Sequence, residues 1–281
     1  MKDALYEQER IIERIKRLVI EDDRIGGLWV VGSVATGKND KYSDIDAYIV
    51  VEKENYEQVF AERTSFAAKV GRVLSTFEVQ WPNCQLYGVI LENCVEVDLC
   101  YCTSEQLKTF GPYKILIDKN GDLEEDLSKR VVKPEIDVTK QLTENLDFAA
   151  YNLLHAINML GRGEYWSSIR QLEFLRKIMV SLIGLMTRTD VDEEYRRLEF
   201  LIEAEQNNSL QKTLCNYSFE SIASAIRAAT SLLVIEARTL CNKQNVLFPE
   251  ERFDRLLAYL DKIRSEKLKQ RALRAHESNS F

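Results

Sequence analysis

Two aspartates separated by a single residue, Asp44 and Asp46, sit in the run Tyr42-Ser43-Asp44-Ile45-Asp46-Ala47-Tyr48-Ile49-Val50-Val51. Ile45, Ala47, Ile49 and Val51 alternate with Asp44, Asp46 and Tyr48, which is the period of a half-buried strand. On such a strand both carboxylates project from one face, with Cα atoms roughly 7 Å apart. Like charges held that way repel unless a cation lies between them. Hard oxygen ligands suit Mg²⁺, which is held by a few carboxylates together with substrate phosphates. Just upstream, Leu28-Trp29-Val30-Val31 is apolar on both faces, as in a short buried strand, and Gly32-Ser33 marks its end. Glycine lets the backbone approach closely, and backbone N–H groups with the Ser33 hydroxyl can hold phosphate oxygens. Ser33 equally suits a helix cap, and the two uses share one geometry. Solvated acids closing a turn would be the plainer account of Asp44 and Asp46. Two carboxylates leaving so apolar a strand, however, call for a partner.

The stretch from Val31-Gly32-Ser33 to Ser43-Asp44-Ile45-Asp46 resembles the signature of the DNA polymerase β-like nucleotidyltransferases. That signature is a hydrophobic residue, Gly-Ser, a spacer, then Asp-x-Asp on the next strand; the spacer between Ser33 and Asp44 is ten residues here. The family carries a third carboxylate on a later strand, and Asp98 in Val95-Glu96-Val97-Asp98-Leu99 matches it. Glu96, Asp98 and Cys100 share one face of that strand, with Val97 and Leu99 on the other. The resemblance implies that Asp44, Asp46 and Asp98 are metal ligands and leaves Glu96 as a candidate general base, against the plainer reading of an edge carboxylate. Gly32, Ser33, Lys38 and Lys41 are the candidate nucleotide-binding residues, although exposed loop lysines are ordinarily just solvated.

The implied reaction is nucleotidyl transfer from ATP or another NTP. Two Mg²⁺ ions would orient the α-phosphate, activate an acceptor hydroxyl and stabilise the departing pyrophosphate. Positioning and charge neutralisation then dominate the protein's share.

The elements that must carry these residues form a small α/β unit. Helical spacing covers Asp3–Glu21 through Leu5, Ile11, Ile12, Ile15, Leu18 and Val19. Gly26-Gly27 predicts a turn before the first strand. Helical spacing returns across Tyr56, Val59, Phe60, Ala67, Val70 and Leu74. Strands are expected over Phe77–Trp81, Gln85–Leu91 and Val95–Tyr101, with a hairpin turn at Asn93. From about Pro134 no strand pattern recurs. One helix runs through Leu146, Ala150, Leu153, Ile157 and Leu160 and is expected to end at Gly161; a second runs from Trp166 to Leu182. Further helices are expected over Glu193–Glu205, Phe219–Asn242 and Glu250–Arg274, with a charged, fraying stretch over Arg264–Phe281. The predicted fold is an α+β nucleotidyltransferase domain, a mixed sheet flanked by helices over residues 1–130. An all-α bundle that binds the acceptor follows over residues 131–281.

This layout resembles the antibiotic nucleotidyltransferases that modify aminoglycosides and lincosamides. Phe148–Arg188, with Gly161 to Trp166 between two helices, is similar to their helical domain, and Ile117–Leu123 to the connector after the catalytic sheet. The resemblance implies transfer of a nucleoside monophosphate, AMP from ATP, to a hydroxyl of a small-molecule acceptor, with Glu164 and Trp166 as candidate acceptor contacts. Two alternatives stay open: a protein or RNA acceptor, as in toxin–antitoxin systems, and nucleotide binding without turnover.

Bulk composition agrees with a two-domain soluble enzyme. The chain has 281 residues, 45% hydrophobic and 30% charged, with a net charge of −7. An acidic chain lacks the clustered cations that grip nucleic acid and leans towards a neutral or cationic acceptor. The first residues are charged and carry no apolar leader, and no apolar run reaches the length of a membrane span. Six cysteines without a Cys-x₂-Cys pair suggest reduced thiols in the cytoplasm, not a zinc knuckle. His155 reads as a packed residue, and His276 lies near the chain end. The long apolar helix faces leave room for a homodimer.

Overall fold

The amphipathic pattern at the N-terminus forms α1 (Lys2–Glu21), and its Ile11, Ile15 and Val19 are buried against a sheet. Each such side chain removed from water is worth about 1.5–3 kcal/mol, so this stripe anchors the helix. The computed structural model describes residues 2–109, 111–131, 137–187 and 195–278. The chain divides into two units, residues 1–134 and 135–281. In the first, strands β1 (Ile25–Val31), β2 (Ile45–Val51), β3 (Val73–Trp81), β4 (Cys84–Leu91), β5 (Glu96–Cys102) and β6 (Tyr113–Asp118) form a mixed sheet. Their order is β3-β4-β5-β2-β1-β6. β2 and β5 run parallel, and every other neighbouring pair is antiparallel.

Short helices complete the unit: α2 (Gly32–Thr36), α3 (Tyr56–Ala61), α4 (Arg63–Val70) and α5 (Leu123–Lys129). Alternation along the strands gives the sheet two different faces. One meets α1, Val59 of α3 and Ala67 and Val70 of α4, and its core includes Leu28, Val30, Ile45, Ala47, Ile49, Val97, Leu99 and Tyr101. The other packs Trp29, Val50, Cys84, Leu86, Cys100 and Cys102 with Leu107, Leu123 and Leu127 in a smaller apolar layer. Asp46 and Asp98 lie on this second face.

Several local expectations are corrected. Gly26 and Gly27 are not a turn but lie inside β1, at a bulge in its pairing with β2. A Cβ at Gly26 would sit 2.8 Å from Glu52 Oε1, and one at Gly27 would sit 2.9 Å from Leu123 Cδ2. The glycines are there for close approach. The helical spacing read from Tyr56 to Leu74 divides into α3 and α4, broken at Glu62. Leu74 belongs to β3, which starts four residues earlier than expected because it pairs with β4 along its length. Ile117 and Asp118, read as connector, end β6, an edge strand paired with β1.

The second unit contains α6 (Val138–Arg162), α7 (Tyr165–Thr187), α8 (Leu198–Leu201), α9 (Ala204–Gln211), α10 (Phe219–Gln244) and α11 (Glu250–Ser278). Asp137 caps α6 by accepting from the Lys140 N–H, and Ser218 caps α10 by accepting from that of Ser221. Helix α6 passes through Gly161 and ends at Arg162, capped by Gly163, which is left-handed at φ 80°. The helix expected over Glu193–Glu205 is instead α8 and α9, because Ile202 is extended and Glu203 with Gln206 forms a capping box that starts a new helix. The core is continuous: Leu153, Ile157 and Leu160 of α6 meet Leu172, Met179 and Ile183 of α7 and Ile226, Leu233 and Leu240 of α10. The α+β unit followed by an all-α unit is thus the fold class expected from the sequence. Pro134, Arg188, Glu193 and the side chains of Leu5 and His276 lie outside the described residues, as do residues 279–281 at the end of the charged tail. Among the described residues no helix is long and apolar enough to cross a membrane, and no disulfide links the six cysteines.

Candidate active site

β1 delivers the chain to the site. It ends at Val31, and Gly32 turns into α2 at φ 66°, a left-handed conformation that favours glycine. Space matters there too, since a Cβ on Gly32 would lie 3.0 Å from Asp46 Oδ2. The Gly32 backbone therefore rests against the Asp46 carboxylate. Ser33 is half-buried in α2, and its carbonyl accepts from the Lys38 backbone N–H at 3.0 Å. The Lys38 side chain is exposed, while Lys41 lies with Nζ 4.5 Å from the centroid of the Tyr42 ring, itself 82% exposed.

The loop after α2 ends at Asp44, one residue before β2. Asp44 and Asp46 are both half-buried, while Ile45 and Ala47 between and beyond them are fully buried on the opposite face. The parallel register of β2 and β5 pairs Asp46 directly with Asp98. Adjacent strands are about 4.8 Å apart, so the two acids stand side by side on one face. Continuing across the sheet, Asp98 is opposite Gly88 of β4, and Gly88 is opposite Phe77 of β3. The Phe77 ring covers Gly88: a Cβ there would fall 2.2 Å from Phe77 Cζ. Glu96 is exposed at the start of β5, two residues before Asp98 and on its face.

The electrostatics of this row follow from its placement. Asp98 Oδ1 is buried without a hydrogen-bond partner, an expensive position for a carboxylate. Burial first, then the charges of Glu96 and Asp44, push its pKa from the ordinary 3.8 up to about 6. Beneath it, Tyr48 stacks on Trp29 with ring centroids 4.1 Å apart, and burial raises the Tyr48 phenol well above its usual range. The hydrogen bond with Cys84 and burial likewise push the Cys100 thiol up, so it remains protonated. The floor of the site is therefore apolar and neutral, and its rim carries the acids.

Among the described residues no group of three or more His, Cys, Asp or Glu side chains is drawn together tightly enough to hold a metal ion unaided. Mg²⁺ fills much of its shell with phosphate oxygens and water, so a few protein carboxylates suffice. The orphaned Asp98 oxygen beside Asp46, with Asp44 and Glu96 close enough to perturb it, fits a site that takes a divalent cation together with a phosphate.

One contributor escaped the sequence reading. Gln8 of α1 is buried, with its amide turned onto the loop that leads to Asp44. Its signal was present: a polar residue in the apolar stripe of an amphipathic helix. In the second unit, Trp166 is 73% exposed beside Tyr217, with ring centroids 4.9 Å apart, and Glu164 is exposed. His155 is only half-buried, its ring 4.3 Å from that of Tyr151, so it is not packed into the core as expected.

Among curated proteins no sequence matches the chain. Solved structures do. An aminoglycoside 6-adenyltransferase from Bacillus subtilis is 12% identical, with a TM-score of 0.44 over 92% of this chain and 98% of that one. The CdnE cyclic dinucleotide synthase of Elizabethkingia meningoseptica, solved with GTP and Apcpp, is 12% identical, with a TM-score of 0.27 over 91% and 89% of the two chains. The sequence itself is more telling, for the streptomycin adenylyltransferase family model matches residues 5–263, spanning the acidic row and most of the helical unit. The chain belongs to the streptomycin adenylyltransferase family and is a nucleotidyltransferase.

Proposed function

We propose that the chain transfers AMP from ATP to a hydroxyl of an aminoglycoside of the streptomycin type, releasing pyrophosphate. The observation that carries the reading is the Asp46–Asp98 pair, adjacent in register on β2 and β5 with an unpartnered buried oxygen on Asp98, in a chain matched to this family over residues 5–263.

In this reading Asp44, Asp46 and Asp98 would hold Mg²⁺, and a second ion would enter with the nucleotide. When bound, the metal neutralises phosphate charge and lowers the cost of forming the acceptor alkoxide. The chain's own residues do the rest. Gly32 and Ser33 receive the triphosphate at the end of β1, with Lys38 and Lys41 as its nearby cations. The acceptor oxygen attacks the α-phosphorus as the bond to pyrophosphate breaks, and its proton passes to Glu96, the exposed carboxylate on the same face. The apolar layer below, from Tyr48 and Trp29 to Cys100, keeps water from the inner side of the row. Acceptor binding is assigned to the helical unit, with Glu164 and Trp166 as contacts. The net charge of −7 favours a polycationic acceptor.

The test is pyrophosphate release from ATP and Mg²⁺ across a panel of aminoglycosides and lincosamides, with Asp46→Asn as control. Release that needs streptomycin or a relative and vanishes in the variant supports the reading. Release with lincosamides alone moves the acceptor class. ATP binding with no release under any acceptor refutes the antibiotic substrate.

A further inference from the structure

Gln8 is 1% exposed, a polar side chain in a helix stripe that otherwise presents Ile11, Ile15 and Val19. All its partners lie in the loop between α2 and β2. Its Nε2 donates to the Asp40 carbonyl at 2.9 Å and to the Ser43 carbonyl at 2.6 Å, and its Oε1 accepts from Asn39 Nδ2 at 3.0 Å. The loop closes between the same two residues. The Ser43 N–H donates to Asp40 O at 3.1 Å, the Asp40 N–H donates to Ser43 Oγ at 2.9 Å, and the Tyr42 N–H donates to Asp40 Oδ1 at 2.9 Å. The peptide gripped at the Ser43 carbonyl is the one that carries the Asp44 N–H. A peptide is planar, so fixing its oxygen fixes the direction in which the chain enters Asp44. An apolar residue at this position would pack α1 at no desolvation cost, whereas a buried amide is tolerated only where its hydrogen bonds are met.

We infer that Gln8 is a positioning residue: it clamps the Asp40–Ser43 turn so that Asp44 is presented beside Asp46 and Asp98 for metal–nucleotide binding. This rests on the metal-ligand role proposed for Asp44. It assigns to α1, on the opposite face of the sheet, a part in setting the metal affinity of the site. Groups that support metal ligands typically change affinity or activity by about 10–100-fold when removed.

The experiment titrates Mn²⁺ with ATP into the metal-free protein by calorimetry and follows amide exchange over residues 38–44, comparing wild type, Gln8→Glu, Asn39→Ala and Asp46→Asn. Gln8→Glu keeps the size and the acceptor for Asn39 but faces two carbonyls with a carboxylate. It is expected to weaken Mn²⁺ binding about tenfold or more and to speed exchange in the loop. Its turnover, measured well below its melting temperature, should recover as Mn²⁺ is raised, which a merely structural defect would not do. Asn39→Ala loses a single hydrogen bond to the same amide and should weaken binding about threefold. Wild-type affinity and loop exchange in folded Gln8→Glu overturn the inference. If that variant does not fold, the same result in Asn39→Ala overturns it. A wild type that binds Mn²⁺ no better than Asp46→Asn removes the metal reading itself, and that outcome is distinguishable because no Gln8 variant enters it.

Discussion

Replacing Asp98 by Asn should stabilise the metal-free protein while abolishing transfer. The folded state holds Asp98 at a pKa of about 6 against an ordinary 3.8, so above pH 6 it keeps a charge that burial disfavours. About two pKa units, at about 1.4 kcal/mol each, set a ceiling near 3 kcal/mol. Asp98 is partly exposed, and solvent screening cuts this to about 1–2 kcal/mol. For a unit of this size that corresponds to a rise in Tm of about 3–8 °C. The sign has a pH signature. A carboxyl with a raised folded pKa costs the native state most above pH 6; the cost fades as pH falls through 6 and is gone only below about 3.8, where the folded and unfolded forms are both protonated. The gain of Asp98→Asn should therefore be full at pH 7.5 and mostly gone at pH 4. Thermal unfolding in chelator at several pH values is the assay. Mn²⁺ with ATP should raise the Tm of the wild type and leave the variant unmoved. A variant that melts at or below the wild type at pH 7.5, in chelator, would refute the reasoning.

Gly32→Ala should lose about 1–2 kcal/mol and most of the transfer activity, since it needs φ near 66° and brings a Cβ against Asp46 Oδ2; wild-type kcat/KM would contradict this. Gly88→Ala should destabilise by about 1–3 kcal/mol through collision with the Phe77 ring, and adding Phe77→Ala should recover part of that loss. Additive losses in a double-mutant cycle would exclude the contact. Asp137→Ala should cost about 1 kcal/mol through the N-cap of α6, with pyrophosphate release unchanged at 25 °C; denaturant unfolding checks the first and the acceptor assay the second.

Where the two faces of a sheet differ, alternation is visible in the sequence. The polar–apolar rhythm of residues 44–51 and 95–101 therefore showed which side each carboxylate takes, and Asp46 and Asp98 do share a face. Elements shaped by distant contacts were less legible. β6 is a six-residue edge strand with half-buried side chains, and its pattern resembles a connector. Gly26-Gly27 looked like a turn because the sequence does not reveal that Glu52 and Leu123 crowd that stretch of β1. The helical period from Tyr56 to Leu74 ran past Glu62 and Gly71, where the backbone leaves the helix. Gln8 stayed hidden because its partners are 31 to 35 residues away, and two of the three are main-chain oxygens.

The parallel pairing of β2 with β5 joins Ile45 to Val97, more than fifty residues on, across a stretch of chain that includes β3 and β4. Suppose it closed one residue out of step. Val97 and Leu99 would turn towards the rim, and Asp98 would enter the apolar layer with Ile45 and Ile49. Exposing those two side chains alone forfeits about 3–6 kcal/mol, and the sunken carboxylate adds several more. A chain paired out of register is thus disfavoured by its own close-packed interior. The alignment of the acids needs no separate code, because the same error that would misplace them also turns the core inside out.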